Sequence, residues 1–274
     1  MNLTVSFVSI ACMVASCIVA FGFPIFLALR YRKLGGQFGP VGVGVLVMLV
    51  FALVIEGNIN RIVLSSSIGT YIQSHTILYA LYGGSMAAIF EEFGRYVACK
   101  TRLKKYQDND VNALMYGVGH GGLESMVIVG LTMLNYIVIA IMMNQGTIQN
   151  VLSTLDQVRL ASVNGVMQTL ASTPSYIFLL SGVERIAALL AQISMSVLVW
   201  FSVKTKHKKY FVFSMILHFM LDAGSVLIQG YTNNNLVFVE IYVVLMAVVS
   251  VYIAYNAWSK FHPFIKGQTK ENLA

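Results

Sequence analysis

Long hydrophobic runs dominate this sequence, and their lengths match the roughly 20 residues with which a helix crosses a bilayer. The chain is 57% hydrophobic and only 11% charged, whereas soluble domains are about 25% charged. We therefore predict an all-α, polytopic membrane protein of about seven transmembrane helices, folded as a single domain over residues 1–274. The predicted spans are 4–29, 39–57, 76–99, 111–143, 175–203, 211–230 and 236–258.

Basic residues follow four of these runs, in clusters that hold 14 of the 18 lysines and arginines. Because positive loops stay in the cytoplasm, the clusters predict an outside N-terminus and a cytoplasmic tail at 259–274. This topology accounts for the net charge of +7, so no nucleic-acid partner is expected. The clusters comprise Arg30, Arg32, Lys33; Lys100, Arg102, Lys104, Lys105; Lys204, Lys206, Lys208, Lys209; and Lys260, Lys266, Lys270.

The outer connection 144–174 is too long for a simple turn. It carries leucines and valines among polar residues, a pattern typical of a helix lying on the membrane surface. A plain loop fits the same residues, and both interpretations stay open.

Charged and imidazole side chains interrupt four predicted spans. A charged side chain at the centre of a span costs about 2.5–3.5 kcal/mol on insertion scales, so such residues rarely persist without a partner or a task. The residues are Glu91, Glu92 and Arg95 in the third span, His120 and Glu124 in the fourth, Glu184 and Arg185 in the fifth, and His218 and Asp222 in the sixth.

Several of these residues lie at one depth. Counting from the nearest loop at 1.5 Å per residue, Glu92, His120 and His218 each lie about 12–15 Å below the cytoplasmic surface. Gln192 of the fifth span falls near the same level and is a supporting candidate. Helices three, four and six are therefore expected to bring carboxylates and imidazoles together.

Spacing adds a second signal, since residues four apart share one face of a helix. Three pairs have this spacing: Glu91 with Arg95, His120 with Glu124, and His218 with Asp222. Each could be a structural ion pair or interhelical hydrogen-bond contact, but three at one depth favour a site for water activation. Glu184 and Arg185 lie nearer the outer half, and we interpret them as a structural ion pair.

Most known designs of intramembrane protease are excluded. The sequence lacks a GxSG serine motif, has Asp222 as the only aspartate in its spans, and has no His-Glu-x-x-His. A zinc site built from His120, His218 and a carboxylate remains geometrically open.

Three motifs occur in order: EE-x-x-R at 91–95, GHGG-x-E at 119–124 and H-x-x-x-D at 218–222. Together they resemble the YhfC family of membrane peptidases, which is similar to type II CAAX-processing proteases, PrsW-type proteases and the Aph subunit of gamma-secretase. The resemblance implies Glu91 or Glu92 as general base, His120 and His218 as oxyanion partners, and Asp222 as the group that orients His218.

The leading hypothesis is a glutamate-dependent intramembrane protease of a bacterial plasma membrane, with no cofactor, that cuts a membrane protein or peptide. Water admitted from the cytoplasmic side would be deprotonated by one of the two glutamates, while Arg95 keeps the other ionised. The i,i+4 spacing favours Glu91 as the partner of Arg95, whereas the family analogy favours Glu91 as base, so the base stays open.

Three alternatives to the glutamate-dependent protease remain. A zinc-dependent protease would use His120 and His218 as ligands. A non-catalytic scaffold would resemble the Aph subunit. A proton-coupled transporter would require broken helices and an inverted repeat, and neither is evident in the sequence. The sequence does not indicate the substrate or the oligomeric state.

Overall fold

The computed structural model describes residues 3–262, and every regular element within them is a helix. The all-α prediction is confirmed. The helices are α1 (Phe7–Lys33), α2 (Phe38–Leu64), α3 (Ser67–Gln73), α4 (Thr76–Lys100), α5 (Val111–Gln145), α6 (Ile148–Leu152), α7 (Gln157–Ser172), α8 (Ser175–Thr205), α9 (Lys209–Tyr231) and α10 (Leu236–Phe261), with a short 3₁₀ turn at Lys104–Tyr106.

Six helices of the described chain are long and apolar enough to cross a membrane: α1, α2, α5, α8, α9 and α10. Helix α4 has 25 residues, which is sufficient length for a crossing, but Glu91, Glu92 and Arg95 make it more polar than the other six. The predicted count of seven and the orientation of the termini therefore stay predictions.

All seven helices continue past their predicted ends, and two of these extensions change the predicted organisation. Helix α2 was expected to end at residue 57, but wide π-helical turns at Met48–Glu56 lead into a further α-helical segment, Gly57–Leu64. Helix α10 reaches Phe261 and so takes up the start of the predicted tail. The rest of that tail, 263–274, lies outside the described residues.

Helix α5 is unusually long, and we expected it either to tilt or to loosen at its glycine-rich start. That start is regular α-helix, and the irregular turns lie later, at Met126–Gly130. The glycines are instead used for close packing against three helices: Gly119 against α2, Gly117 and Gly121 against α8, and Gly122 against α1. A Cβ on Gly119 would lie 2.1 Å from the carbonyl oxygen of Val41, and one on Gly44 would lie 2.3 Å from that of Tyr116.

The segment 144–174 contains two helices, α6 and α7. Met167 and Leu170 of α7 are buried in a cluster with Met143 of α5. The helical alternative for this segment therefore agrees with the structure. Its position on the outer membrane surface stays a prediction.

Helix α8 lies at the centre of the bundle. Its most apolar window is 83% buried, against 22–33% in the other five candidate spans. It packs against α1, α4, α5, α9 and α10, so nearly every side chain from Arg185 to Ser202 points into the protein. Near the basic clusters, Asp110 accepts hydrogen bonds from Trp200 Nε1 (2.9 Å) and Lys204 Nζ (2.5 Å), which tie α8 to the start of α5.

Candidate functional site

The site is built around Arg95, whose side chain is fully buried in α4. Its guanidinium donates to Glu92, to Gln192 of α8 and, at 3.3 Å, to Oε2 of Glu91. The expected i,i+4 contact with Glu91 is therefore present, together with an i,i+3 contact to Glu92 that the spacing argument did not favour. One cation thus compensates two buried carboxylates.

Glu92 is completely enclosed, and both of its carboxylate oxygens are occupied. Oε1 accepts a hydrogen bond from the Arg95 guanidinium and lies 2.7 Å from Nδ1 of His218. Oε2 accepts a hydrogen bond from Ser214 Oγ at 2.5 Å. Glu92 therefore fixes the positions of Arg95 and His218. Sequence reasoning missed Ser214, although it lies one helical turn before His218 on the same face of α9.

Glu91 has a different environment from its neighbour. Its Oε2 lies 2.8 Å from Nε2 of His120 and 3.9 Å from Nε2 of His218, and Gln192 Nε2 is 3.4 Å away. The residue is 6% exposed, against 0% for Glu92. Glu91 lines a cavity of about 360 Å³ between the helices, whereas Glu92 does not. Of the two neighbouring glutamates, Glu91 is therefore the one that can contact a molecule in the cavity.

The expected pairing of His120 with Glu124 is not found. Glu124 instead accepts from Gln192 Nε2 (2.6 Å) and Arg185 Nη1 (3.2 Å), both on α8. A shared helix face allows an i,i+4 contact but does not enforce it, and here two donors from a neighbouring helix hold the carboxylate. His120 is left free to meet Glu91.

Asp222 and His218 are near one another but not tightly joined. Nε2 of His218 is 3.5 Å from Oδ2 of Asp222, and the Asp222 side chain is 38% exposed at the cavity. The short contact of His218 is the one from Nδ1 to Glu92. Glu92 thus has the orienting geometry that the family resemblance assigns to Asp222.

Arg185 forms the expected ion pair with Glu184, but the pair is not isolated. The same guanidinium donates to Glu124, and Gln192 links Glu124 to Arg95 and Glu91. All the candidate residues except Asp222 are therefore joined by hydrogen bonds into one polar network, which runs from Ser214 through Arg95 to Glu184. Asp222 approaches this network through its 3.5 Å contact with His218. The supporting residue Gln192 lies at the middle of the network.

The residues that most resemble a set of metal ligands are His120, His218 and Glu91. The Nε2 atoms of both histidines face the same carboxylate oxygen of Glu91. Zinc in a catalytic site takes three protein ligands and a water. Arg95 donates a hydrogen bond to this same oxygen. A divalent cation bound there would lie beside the positively charged guanidinium, which would repel it. Within residues 3–262, no three His, Cys, Asp or Glu side chains converge to hold a metal ion. As placed, the residues do not fit a zinc ion.

Comparison with known proteins agrees with the ordered motifs. Residues 18–243 match a family described as YhfC intramembrane metalloprotease. The "Uncharacterized membrane protein YhfC" of Bacillus subtilis (strain 168) is 35% identical over 236 residues, which cover 85% of this chain and 90% of that protein. No solved structure matches the chain. The chain therefore belongs to the YhfC family of membrane proteins.

Proposed function

We propose that this chain is an intramembrane peptidase of the bacterial plasma membrane in which Glu91 activates water. The family description supports peptidase activity. The observation that carries the choice of base is the position of Glu91, which lines a cavity inside the bundle and has both histidines facing one of its oxygens. Its substrate would be a membrane protein or peptide.

The reaction would begin with a water between Glu91 and His218. The 3.9 Å from Oε2 to Nε2 is too long for a direct hydrogen bond and suits a bridging molecule. Glu91 would take a proton from this water as the oxygen attacks the peptide carbonyl carbon. The resulting carboxylic acid would then give that proton to the leaving amine nitrogen, so the C–N bond breaks and Glu91 is ionised again.

The developing oxyanion requires donors that are already in place. His120 and His218 are the two imidazoles nearest to Oε2 of Glu91, and His218 also lines the cavity. Since Nδ1 of His218 is directed at Glu92, His218 would offer an Nε2–H to the oxyanion as an imidazolium, with Glu92 as its counter-ion. Arg95 would keep Glu92 ionised for this purpose.

We predict that His218→Gln lowers cleavage by about 10²–10³-fold, the loss typical of removing one oxyanion donor. The measurement is a comparison of membrane-protein N-termini between cells with the wild-type chain and cells with the variant. His75→Gln is the matched control, because His75 is an exposed histidine outside the network. Identical N-termini in wild-type and His218→Gln cells would instead favour a non-catalytic scaffold.

A zinc-dependent peptidase is the second candidate, because the family description names a metalloprotease. His120, His218 and Glu91 are the nearest set of ligands, and they would have to rearrange away from Arg95 to bind the ion. The glutamate mechanism predicts that purified protein keeps its cleavage rate after treatment with a chelator. Loss of cleavage with the chelator, restored by Zn²⁺ and accompanied by one bound zinc per chain, would identify the metal-dependent type.

A further inference from the structure

We name the cavity of about 360 Å³ beside Glu91 the catalytic cavity. It extends in one direction from Glu91 along the bundle. On α5 its lining includes Ile128, which lies eight residues beyond His120, and on α9 it includes Val226, eight residues beyond His218. On α10 it includes Val239, close to the start of the helix. All three positions lie on the side away from the basic clusters, so the cavity runs toward the uncharged end.

In the opposite direction, the space between Glu91 and the basic clusters is filled with side chains. Large residues of α5, α8 and the turn after α4 have relative exposures of 0–1% there and belong to one hydrophobic cluster. They are Leu103, Tyr116, Met195, Leu198, Trp200 and Phe201. The hydrogen bonds of Asp110 to Trp200 and Lys204 hold this end together. Access to Glu91 from the basic end would require these side chains to move.

A second, larger cavity adjoins the first. It has a volume of about 730 Å³ and lies among α5, the end of α7, the start of α8 and the turn before α10. We name it the vestibule, and its polar lining includes Thr132, Ser181 and Asn234. Ile128 and Glu184 line both cavities. These two residues therefore mark the junction between the vestibule and the catalytic cavity.

We propose that the substrate peptide reaches Glu91 through the vestibule, from the end of the bundle opposite the basic clusters, and passes the junction at Ile128 and Glu184 as an extended chain. This inference rests on the proposed peptidase function. It concerns the peptide and differs in direction from the sequence-based expectation for water, which was to enter from the cytoplasmic side. The substrates would accordingly be membrane proteins whose chain can enter the vestibule from that uncharged end.

The extended form follows from hydrogen bonding. In a helix each carbonyl is already paired, and a helix with its side chains is about 10–12 Å wide. A chain that unwinds in the membrane needs new partners for its N–H and C=O groups. The hydroxyls and amides of the vestibule, and beyond them Glu124 and Gln192, supply donors and acceptors along the route to Glu91.

Cysteine accessibility tests this route without requiring catalysis. In a chain carrying Cys12→Ser, Cys17→Ser and Cys99→Ala, single cysteines are introduced by Ser181→Cys in the vestibule and Ser225→Cys in the catalytic cavity. Ser202→Cys, buried near the basic end of α8, is the matched control. Lys104→Cys, exposed between α4 and α5, reports whether the basic face of the protein is accessible to the reagent.

Sealed vesicles of each orientation are treated with a small, membrane-impermeant cationic methanethiosulfonate. We expect Ser181→Cys and Ser225→Cys to be modified from the face on which Lys104→Cys is protected, and Ser202→Cys to stay unmodified from both. Modification of Ser225→Cys only from the Lys104 face, or from neither face, would overturn the route.

A substitution at the junction provides the second test. Ile128→Trp should block modification of Ser225→Cys and leave that of Ser181→Cys unchanged, whereas Ile128→Val should leave both unchanged. Equal modification of Ser225→Cys with Trp and Ile at 128 would show that the junction is not on the path. Because these readouts are independent of cleavage, a failure of the proposed peptidase activity is distinguishable from a failure of the route.

Discussion

Glu91→Gln is expected to reduce peptide cleavage by about 10²–10⁴-fold, the usual contribution of a general base, while the protein stays folded. Glutamine keeps the shape of the side chain and an oxygen for His120, which lies 2.8 Å from the carboxylate. Arg95 retains Glu92 as its counter-ion. The variant therefore removes proton transfer and leaves the network. The measurement is the single-turnover cleavage rate of purified protein, with the folded fraction determined from its unfolding curve.

Glu92→Gln is the informative comparison, because this residue is an adjacent carboxylate with a different task. Glu92 is enclosed and holds Arg95, Ser214 and His218. Its replacement should lower both the cleavage rate and the stability, whereas Glu91→Gln should lower the rate alone. If Glu92→Gln lost cleavage but kept its stability, and Glu91→Gln kept its cleavage, then Glu92 would be the base and Glu91 would not. Full cleavage by the double glutamine variant would end the glutamate mechanism.

Sequence reasoning grouped the candidate residues because depth along a helix can be counted. Each residue advances a helix by about 1.5 Å, so distances from the nearest cytoplasmic loops placed Glu92, His120, Gln192 and His218 at one level. The structure brings these four into a single hydrogen-bonded network. The helical class followed equally directly, since the length and composition of the hydrophobic runs leave little choice of fold.

The partners within the network could not be predicted in the same way. The i,i+4 rule states which residues share a face, but partner choice depends on how neighbouring helices are rotated. His120 therefore meets Glu91 of α4, and Glu124 meets Arg185 of α8. Whether Glu91 or Glu92 faces the cavity is likewise set by the packing of α4 and α9. The wider similarity to CAAX-type and PrsW-type proteases stays a prediction.

Arg95→Met is expected to destabilise the protein by about 3–5 kcal/mol, the loss typical of breaking a buried ion pair from one side. The guanidinium is fully buried and contacts Glu91, Glu92 and Gln192. Methionine fills similar space but removes the guanidinium that compensates Glu91 and Glu92, so the His218 imidazolium is left to balance two buried carboxylates. The free energy of unfolding in mixed detergent micelles measures the effect.

Two further variants separate loss of charge compensation from loss of packing. Arg159→Met breaks an exposed i,i+3 pair, with side chains 76% and 59% exposed, and should change the free energy of unfolding by less than about 1 kcal/mol. Adding Glu91→Gln and Glu92→Gln to Arg95→Met removes the unpaired carboxylates and should restore most of the lost stability. A triple variant less stable than Arg95→Met would show that packing around Arg95, and not its charge, holds α4 in place. Recovery would mean that the two carboxylates are kept in the bundle at a cost in stability, as expected of residues retained for chemistry.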